Sequence, residues 1–473
     1  VDRAALTRTV QGLWDDDVLP SLSELVAVPA VSPAFDPQWA ASGHLDAAVE
    51  HMRRWLAGRT LPNTTIEVIQ LDGRTPLLVV DIPATDGAKA DAGTVLLYGH
   101  LDKQPPVGGW SEGLDPWKPV IRDGRLYGRG SVDDGYAGYA AVAAIEALRA
   151  NGGSHARCVL LLETGEESGS PDLPAYLEHL ADRLGRVSLV VCLDSGAGDY
   201  ERLWLTTSLR GLVQVEVTAH VLDVGQHSGA ATGVVPSSFR VLRALLDRIE
   251  DPLTGEIRLP EMSVDVPDDR MAELRDTVEV TRGALRTMFP LAQGVRPVAD
   301  DDVELALNRT WRPTLSVIGA DGLPAPADAG NVLRPWTTLC LSFRLPPTAD
   351  ADAALAAVRR ALTTDVPYGA RIELGRLETG SGWNAPTLAP WLRNALDAAS
   401  EDVFGEPWRT LGEGGSIPFM GLLHDAYPEA QFVVTGALGP GSNAHVPDES
   451  LHLEYVAKVT AGVAVVLDAH ATA

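Results

Sequence analysis

Lysine is nearly absent from this chain: only Lys89, Lys103, Lys118 and Lys458 occur among the 38 Lys and Arg, and the rest are arginines. We read that bias as a trace of base composition rather than of mechanism. Positive charge is scarce as a whole, with 38 Lys and Arg against 64 Asp and Glu and a net charge of -26. Nucleic acid and anionic membrane surfaces require a basic footprint, so neither is expected as a partner. Cysteine is scarce too. Cys158, Cys192 and Cys340 all fall inside apolar runs, and an odd number of buried thiols suits reduced, structural residues in a reducing compartment. No stretch approaches the ~18 apolar residues that a membrane-spanning helix needs. The opening VDRAALTRTV lacks the basic-then-apolar order of a secretory signal. The expected location is therefore cytoplasmic.

What is present is a globular composition, with 45% hydrophobic and 22% charged residues. At about 150 residues per domain, 473 residues predict two or three units. Residues 3–28 read as an amphipathic helix broken or kinked at Pro20, and His44 to Leu56 as a second. Strand patterns follow at residues 65–71, 77–82 and 94–100, then a helix at 135–150. Strand, helix and strand alternate again over 158–163, 173–184 and 189–194. That is α/β patterning with crossover helices. After Thr206 the texture changes to an alternating strand at 211–221, a helix at 237–249 and a long polar, Pro-rich stretch to about Asp302. Strands at 314–318 and 337–345, a helix at 351–362 capped by Asp350, and a strand at 370–377 follow. From Pro386 helix and strand alternate once more. The organisation predicted is a catalytic domain, residues 1–205 and 386–473, interrupted by an inserted domain at 206–385.

Between Tyr98 and Asp194, seven acidic or imidazole side chains stand at or near the ends of short apolar runs: His100, Asp102, Asp133, Asp134, Glu166, Glu167 and Asp194. Ligands of an open α/β sheet collect at the carboxyl ends of its strands. Histidine with several carboxylates at such a rim is ligand chemistry for zinc or a similar divalent ion. His100 and Asp102, at i and i+2, point the same way on a strand, so one can ligate while the other tunes the site. Glu166 and Glu167 diverge on extended backbone, so one can bind metal while its neighbour serves as general base. Asp133, in a glycine-rich turn, could bridge two ions. Each residue alone has a plainer explanation as a turn, cap or solvated group. Four segment ends of ligand type in one domain are hard to obtain by chance.

The segments GHLDKQP, LYGRGSVDDG, ETGEESGS, CLDSG, QHSGAATG, EGGSIP and GPGSNAH occur in this order along nearly the whole chain. In them the chain resembles the dinuclear zinc peptidases that include carnosinases, cytosolic dipeptidases, aminoacylases, glutamate carboxypeptidases and desuccinylases. The resemblance implies a zinc-exopeptidase-like α/β catalytic domain with a mixed central sheet flanked by helices, plus an inserted α+β lid and dimerisation domain. It also implies two divalent ions per subunit, zinc first, with manganese or cobalt as alternatives. His100 and Asp194 would bind one ion, Glu167 and His445 the other, and Asp133 both. Glu166 would be the general base, Asp102 would orient the ligand shell, and Asp134 would follow Asp133 across a cis peptide. His227 would reach the partner subunit's site and stabilise the oxyanion, which implies a homodimer through the inserted domain. Arg344 would anchor a substrate carboxylate, with Gly415 and Ser416 beside it and Asn331 near the tetrahedral intermediate.

The chain departs from the carnosinase pattern where Gly135 and Tyr136 replace Lys and Gly. GSGWNAP around Trp383 lacks a histidine, and Lys103 replaces a smaller residue. These differences bear on substrate. The function expected is hydrolysis of a dipeptide amide bond. An aminoacylase or other N-acyl amino acid amidohydrolase is the alternative, and a non-catalytic binding protein on the same fold a distant one. Two further motifs carry little. GRGSVDDG echoes a nucleotide loop, but its aspartates would repel a pyrophosphate, and EGGSIP lacks the flanks of a nucleophilic serine.

Overall fold

The computed structural model describes every residue except Ser416 and Ile417, and of Pro418 only the backbone. The chain divides into two compact units. The first comprises Val1–Thr207, Ala385–Leu411 and Leu422–Ala473; the second comprises Ser208–Asn384 and Gly412–Gly421.

The first unit is built on a six-stranded sheet in the order Thr65–Ile69, Leu77–Ile82, Arg157–Glu163, Thr94–His100, Val187–Cys192, Gln431–Val434. The first two pairings are antiparallel and the last three parallel, so the sheet is mixed. Thr94–His100 is buried along its whole length, as its unbroken apolar run requires of a strand covered on both faces. Helices Ala137–Ala150 and Leu453–Ala471 pack against each other, and the former against the central strands. Helix His44–Ala57 packs against the antiparallel edge.

Two local readings change. The N-terminal helix does not break at Pro20. It runs Arg3–Leu13, widens into a π turn at Trp14–Val18, and resumes as Leu19–Val26 with Pro20 in its first turn. A proline lacks an N–H and its ring crowds the carbonyl four residues back; the first turn after a widened one spares both conflicts. The long polar, Pro-rich stretch to about Asp302, to which the sequence pattern assigns no element, contains the helix Asp268–Val280, and a further helix follows at Asp302–Thr310. The former has mostly charged and polar residues, so apolar periodicity gave no signal.

The second unit holds a four-stranded antiparallel sheet in the order Thr314–Asp321, Trp336–Leu345, Gly211–His220, Arg371–Gly380. Trp336–Leu345 and Arg371–Gly380 flank Gly211–His220, so the strand–helix–strand run at 336–380 is a split βαβ unit. Helices Ser238–Leu246 and Ala351–Thr363 pack on the sheet. Val213, Val215, Val217 and Ala219, alternate residues of the central strand, join Val241, Leu245, Leu341, Phe343, Ala354 and Val358 in the core. Asp350 caps Ala351–Thr363 by accepting from the N–H groups of Asp352 and Ala353.

Candidate active site

Parallel register brings the acidic strand ends of the first unit to one rim. His100 stands level with Glu163, and Tyr98 level with Cys192, which puts Asp194 two residues beyond. Gly99 makes the approach possible: a Cβ there would meet the Ala137 Cβ at 2.8 Å and Asp134 Oδ2 at 3.0 Å. The backbone N–H of His100 donates to Asp134 Oδ2 at 3.3 Å, and the Asp133–Asp134 peptide is cis.

His100 is fully buried. Its Nδ1 lies 3.0 Å from the Asp102 carbonyl, a partner that fixes the proton on Nδ1 and turns the Nε2 lone pair into the site. Nε2 stands 3.3 Å from Asp133 Oδ1, 3.6 Å from Asp194 Oδ2 and 3.9 Å from Glu166 Oε2. Across Asp133, His445 Nε2 lies 2.9 Å from Oδ2 and 3.4 Å from Glu167 Oε2. Asp102 accepts the backbone N–H of Glu166 at 3.1 Å and of Glu167 at 3.0 Å, which orients both carboxylates. Gln104 Nε2 donates to Glu167 Oε2 at 2.6 Å.

Two groups can therefore hold a cation: His100, Asp133 and Asp194, and Asp133, Glu167 and His445, with ligand atoms within 4.8 Å of one another in each. They share Asp133. His100 Nε2 and Glu167 Oε1 are buried with no hydrogen-bond partner among the described residues, and orphaned lone pairs aimed into an acidic cluster fit divalent cations. Electrostatics agree. Burial, then repulsion from the neighbouring carboxylates, pushes Glu166 and Glu167 well above the usual carboxylate range, and burial also raises Asp194. Asp133 goes the other way: burial opposes its ionisation, but the adjoining imidazoles of His100 and His445, if charged, hold it far below the ordinary value. Bound dications would favour the ionised form of all four.

The remaining predicted residues lie in the second unit, where Ser416 falls outside the described residues. His227 is exposed, on the two-residue strand Gln226–His227 paired with Val332–Leu333. The N–H of Ser228 donates to the carbonyl of Asn331 at 2.8 Å, so His227 and Asn331 are neighbours. Arg344 sits near the end of Trp336–Leu345, opposite Leu212 and Thr314. Sequence reasoning missed Arg210. Its backbone N–H donates to the Gly415 carbonyl at 3.2 Å and its Nε to the Gly414 carbonyl at 2.9 Å. Burial, followed by repulsion from Arg344 and Arg309, lowers its guanidinium to about 10. Arg210 is thus bonded to the Gly414–Gly415 backbone and close enough to Arg344 to feel its charge. Also missed were Glu163, which accepts from Tyr98 and Ser170 and is pushed up to about 7 by burial, and the buried pair Arg129 and Glu449. The only signal was that Arg129 and Glu163 fall inside the quoted motifs LYGRGSVDDG and ETGEESGS; Arg210 and Glu449 fall in none.

The family model for peptidase family M20/M25/M40 matches residues 96–469. A cysteinylglycine-S-conjugate dipeptidase of Corynebacterium striatum is 27% identical over 93% of this chain and 93% of its own length. A Beta-Ala-His dipeptidase of Homo sapiens is 26% identical over 91% of this chain and 86% of its own. The solved structure of the di-peptidase Dug1p from Saccharomyces cerevisiae has a TM-score of 0.77 at 22% identity, covering 100% of this chain and 99% of that one. That likeness is one of fold.

Proposed function

This chain belongs to peptidase family M20/M25/M40, and from that premise we propose that it is a metal-dependent dipeptidase. The observation that carries the reading is the pair of cation-binding groups sharing Asp133, with Glu166 beside them. His100, Asp133 and Asp194 would hold one divalent ion, and Asp133, Glu167 and His445 a second. Zinc suits this nitrogen and oxygen donor set best, with manganese or cobalt as substitutes. Such ions, when bound, polarise the scissile carbonyl and ease ionisation of water. Glu166 takes the proton of the attacking water and returns it to the leaving amine. Asp102 keeps Glu166 and Glu167 in their separate roles by holding both backbone N–H groups.

Arg344 anchors the substrate carboxylate in this reading, with Asn331, Gly415 and Ser416 as further substrate contacts. His227, exposed on its short strand, acts across a homodimer formed by the inserted domain at 206–385. Mixing an inactive Glu166→Gln chain with an inactive His227→Ala chain should restore part of the activity; freely exchanging subunits without recovery would remove the in-trans role. Free Cys158, Cys192 and Cys340 suit a cytoplasmic enzyme. Among the described residues no helix is long and apolar enough to cross a membrane.

The test of substrate class is a panel of dipeptides and N-acyl amino acids assayed after reconstitution with zinc, manganese or cobalt. Dipeptides should be cleaved fastest. Turnover confined to N-acyl amino acids would make the chain an aminoacylase, and no turnover of either would sink both.

A further inference from the structure

The two cation-binding groups are not held in the same way. His100 and Asp194 follow strands locked by parallel pairing, whereas Asp133 and His445 lie in turns. We propose that the buried Arg129–Glu449 pair is the frame that positions Asp133 and His445 against the strand ends, and so governs binding at the Asp133, Glu167 and His445 group. The inference rests on the metal reading above and deepens it.

Glu449 and Arg129 are 0% and 1% exposed, and Arg129 Nη1 donates to Glu449 Oε2 at 2.7 Å. The other carboxylate oxygen, Oε1, collects the backbone N–H groups of Gly130 at 2.9 Å and of Val132 and Asp133 at 3.3 Å. The last of these is the amide of the shared ligand itself. Gly130 has φ +78°, and a Cβ there would meet the Lys103 stem at 2.6 Å, so this turn is pressed against the segment following Asp102. The guanidinium reaches the other two ligand-bearing segments. Nε donates to the Pro105 carbonyl and Nη2 to the Val446 carbonyl, both at 3.2 Å. Pro105 continues the His100–Asp102 segment, and Val446 is bonded to His445. The backbone N–H of Gly128 closes the frame on the Glu449 carbonyl at 3.0 Å.

One planar fork and one carboxylate thus tie three loops, each at or within three residues of a proposed ligand or the residue orienting it. Stability alone is a poor account of such a pair, because desolvation offsets much of the attraction between buried ions. Lysine cannot replace the arginine, since an ammonium lacks the rigid fork that reaches Glu449, Pro105 and Val446 together. Partners that orient metal ligands typically change metal affinity by about 10–100-fold when altered.

The experiment is Co(II) titration of the metal-free full-length chain, followed by calorimetry and by the visible d–d spectrum, for the parent, Glu449→Gln and Arg129→Lys. Melting temperature of the metal-free form is recorded beside it. The parent should bind two ions. Each variant should still bind one ion tightly through His100 and Asp194, lose about 10–100-fold for the other and show an altered spectrum, while staying folded at a lower melting temperature because a buried charge has lost its partner. Two ions bound by the parent and unchanged binding in both variants would overturn the frame while leaving the metal reading intact. Variants that lose fold and both ions together would overturn it as well, assigning the pair to folding. A parent that binds no Co(II) would instead remove the metal reading on which the frame depends.

Discussion

One half of the candidate metal centre takes two of its three residues, His100 and Asp194, from strand ends, and the other takes none. His100, Asp133 and Asp194 are all buried, whereas in the group of Asp133, Glu167 and His445 burial falls from one residue to the next. The two histidines mark the extremes: the His100 side chain is 0% exposed and that of His445 is 53% exposed. His100 ends a strand with neighbours on both sides. His445 sits in a loop at φ +65°, a conformation uncommon for any residue but glycine. A half held between paired strands is expected to be the more rigid, and the half that includes the exposed loop histidine the more adjustable. The asymmetry makes the order of occupancy and the cost of each substitution predictable.

The largest expected effect comes from the residue between the halves. Glu166→Gln should retain both ions and lose about 10²–10⁴-fold in kcat, because an amide keeps the shape but cannot take a proton. Metal analysis and steady-state kinetics on one preparation check this. Loss of an ion along with activity would make Glu166 a ligand and erase its distinction from Glu167.

The comparison itself is tested by truncating each histidine. His100→Ala removes a fully buried ligand from the rigid half, so it should abolish tight binding there and also lower the melting temperature by leaving a cavity among charged groups. His445→Ala should weaken one ion only and leave melting of the metal-free chain nearly unchanged. Equal losses of metal and stability in the two variants would show that strand-borne and loop-borne ligands do not differ.

The same division separates what the sequence made legible from what it did not. His100, Asp102, Glu166, Glu167 and Asp194 could be picked out because each follows an apolar run, and strands that end together bring their next residues together. His445, His227, Asn331 and Gly415 follow no such rule, and only the resemblance to known peptidases singled them out. Arg129, Glu449 and Arg210 were missed altogether. Their work is done through backbone carbonyls and N–H groups, which leave no residue-type signature in sequence. The fold divides similarly. The helix Leu173–Leu184 was read to the residue, while Asp268–Val280, with few apolar residues, was not.

A smaller effect is expected at the substrate end. Arg344 is strand-borne like His100, and burial lowers its guanidinium below the usual value, which raises its gain from meeting an anion. A charge-assisted pair to a substrate carboxylate is worth roughly 1.5–3 kcal/mol. Arg344→Ala should therefore lose at least about tenfold in kcat/KM on dipeptides with a free C-terminus. It should lose little on their amides, which the parent should already cleave poorly. A parent that hydrolyses amide and free acid equally well has no carboxylate anchor there.

The smallest effect probes the rigid half from its far side, at the amino-terminal ends of its strands. His155 precedes Arg157–Glu163, with Nδ1 at 2.7 Å from the Ala156 carbonyl and Nε2 accepting from Arg149 at 2.9 Å. His470 Nε2 meets the Ser188 hydroxyl at 2.9 Å, beside the start of Val187–Cys192. Burial, aided by Arg149 and Arg186 respectively, brings each imidazole down from 6.5 to about 4. The unfolded chain protonates these rings near pH 6.5 and the folded chain only near pH 4, so between those values the unfolded state binds more protons. Stability is then fully present above pH 6.5 and is lost as pH falls towards 4. Between pH 7.5 and 5.5 the loss is about 1 kcal/mol per histidine. Glu163, raised to about 7 by burial, works in the opposite sense, so the parent's curve alone does not isolate the histidines. The readout is the difference in slope of melting temperature against pH between the metal-free parent and His155→Gln/His470→Gln. The double variant should lose less on acidification, by a few degrees, while its Co(II) binding at pH 7.5 stays parental, because neither ring touches the ligand end of the strands. Equal slopes would mean that the rings are already charged in the folded chain, and that the base of the sheet is less closed than its ligand-bearing rim.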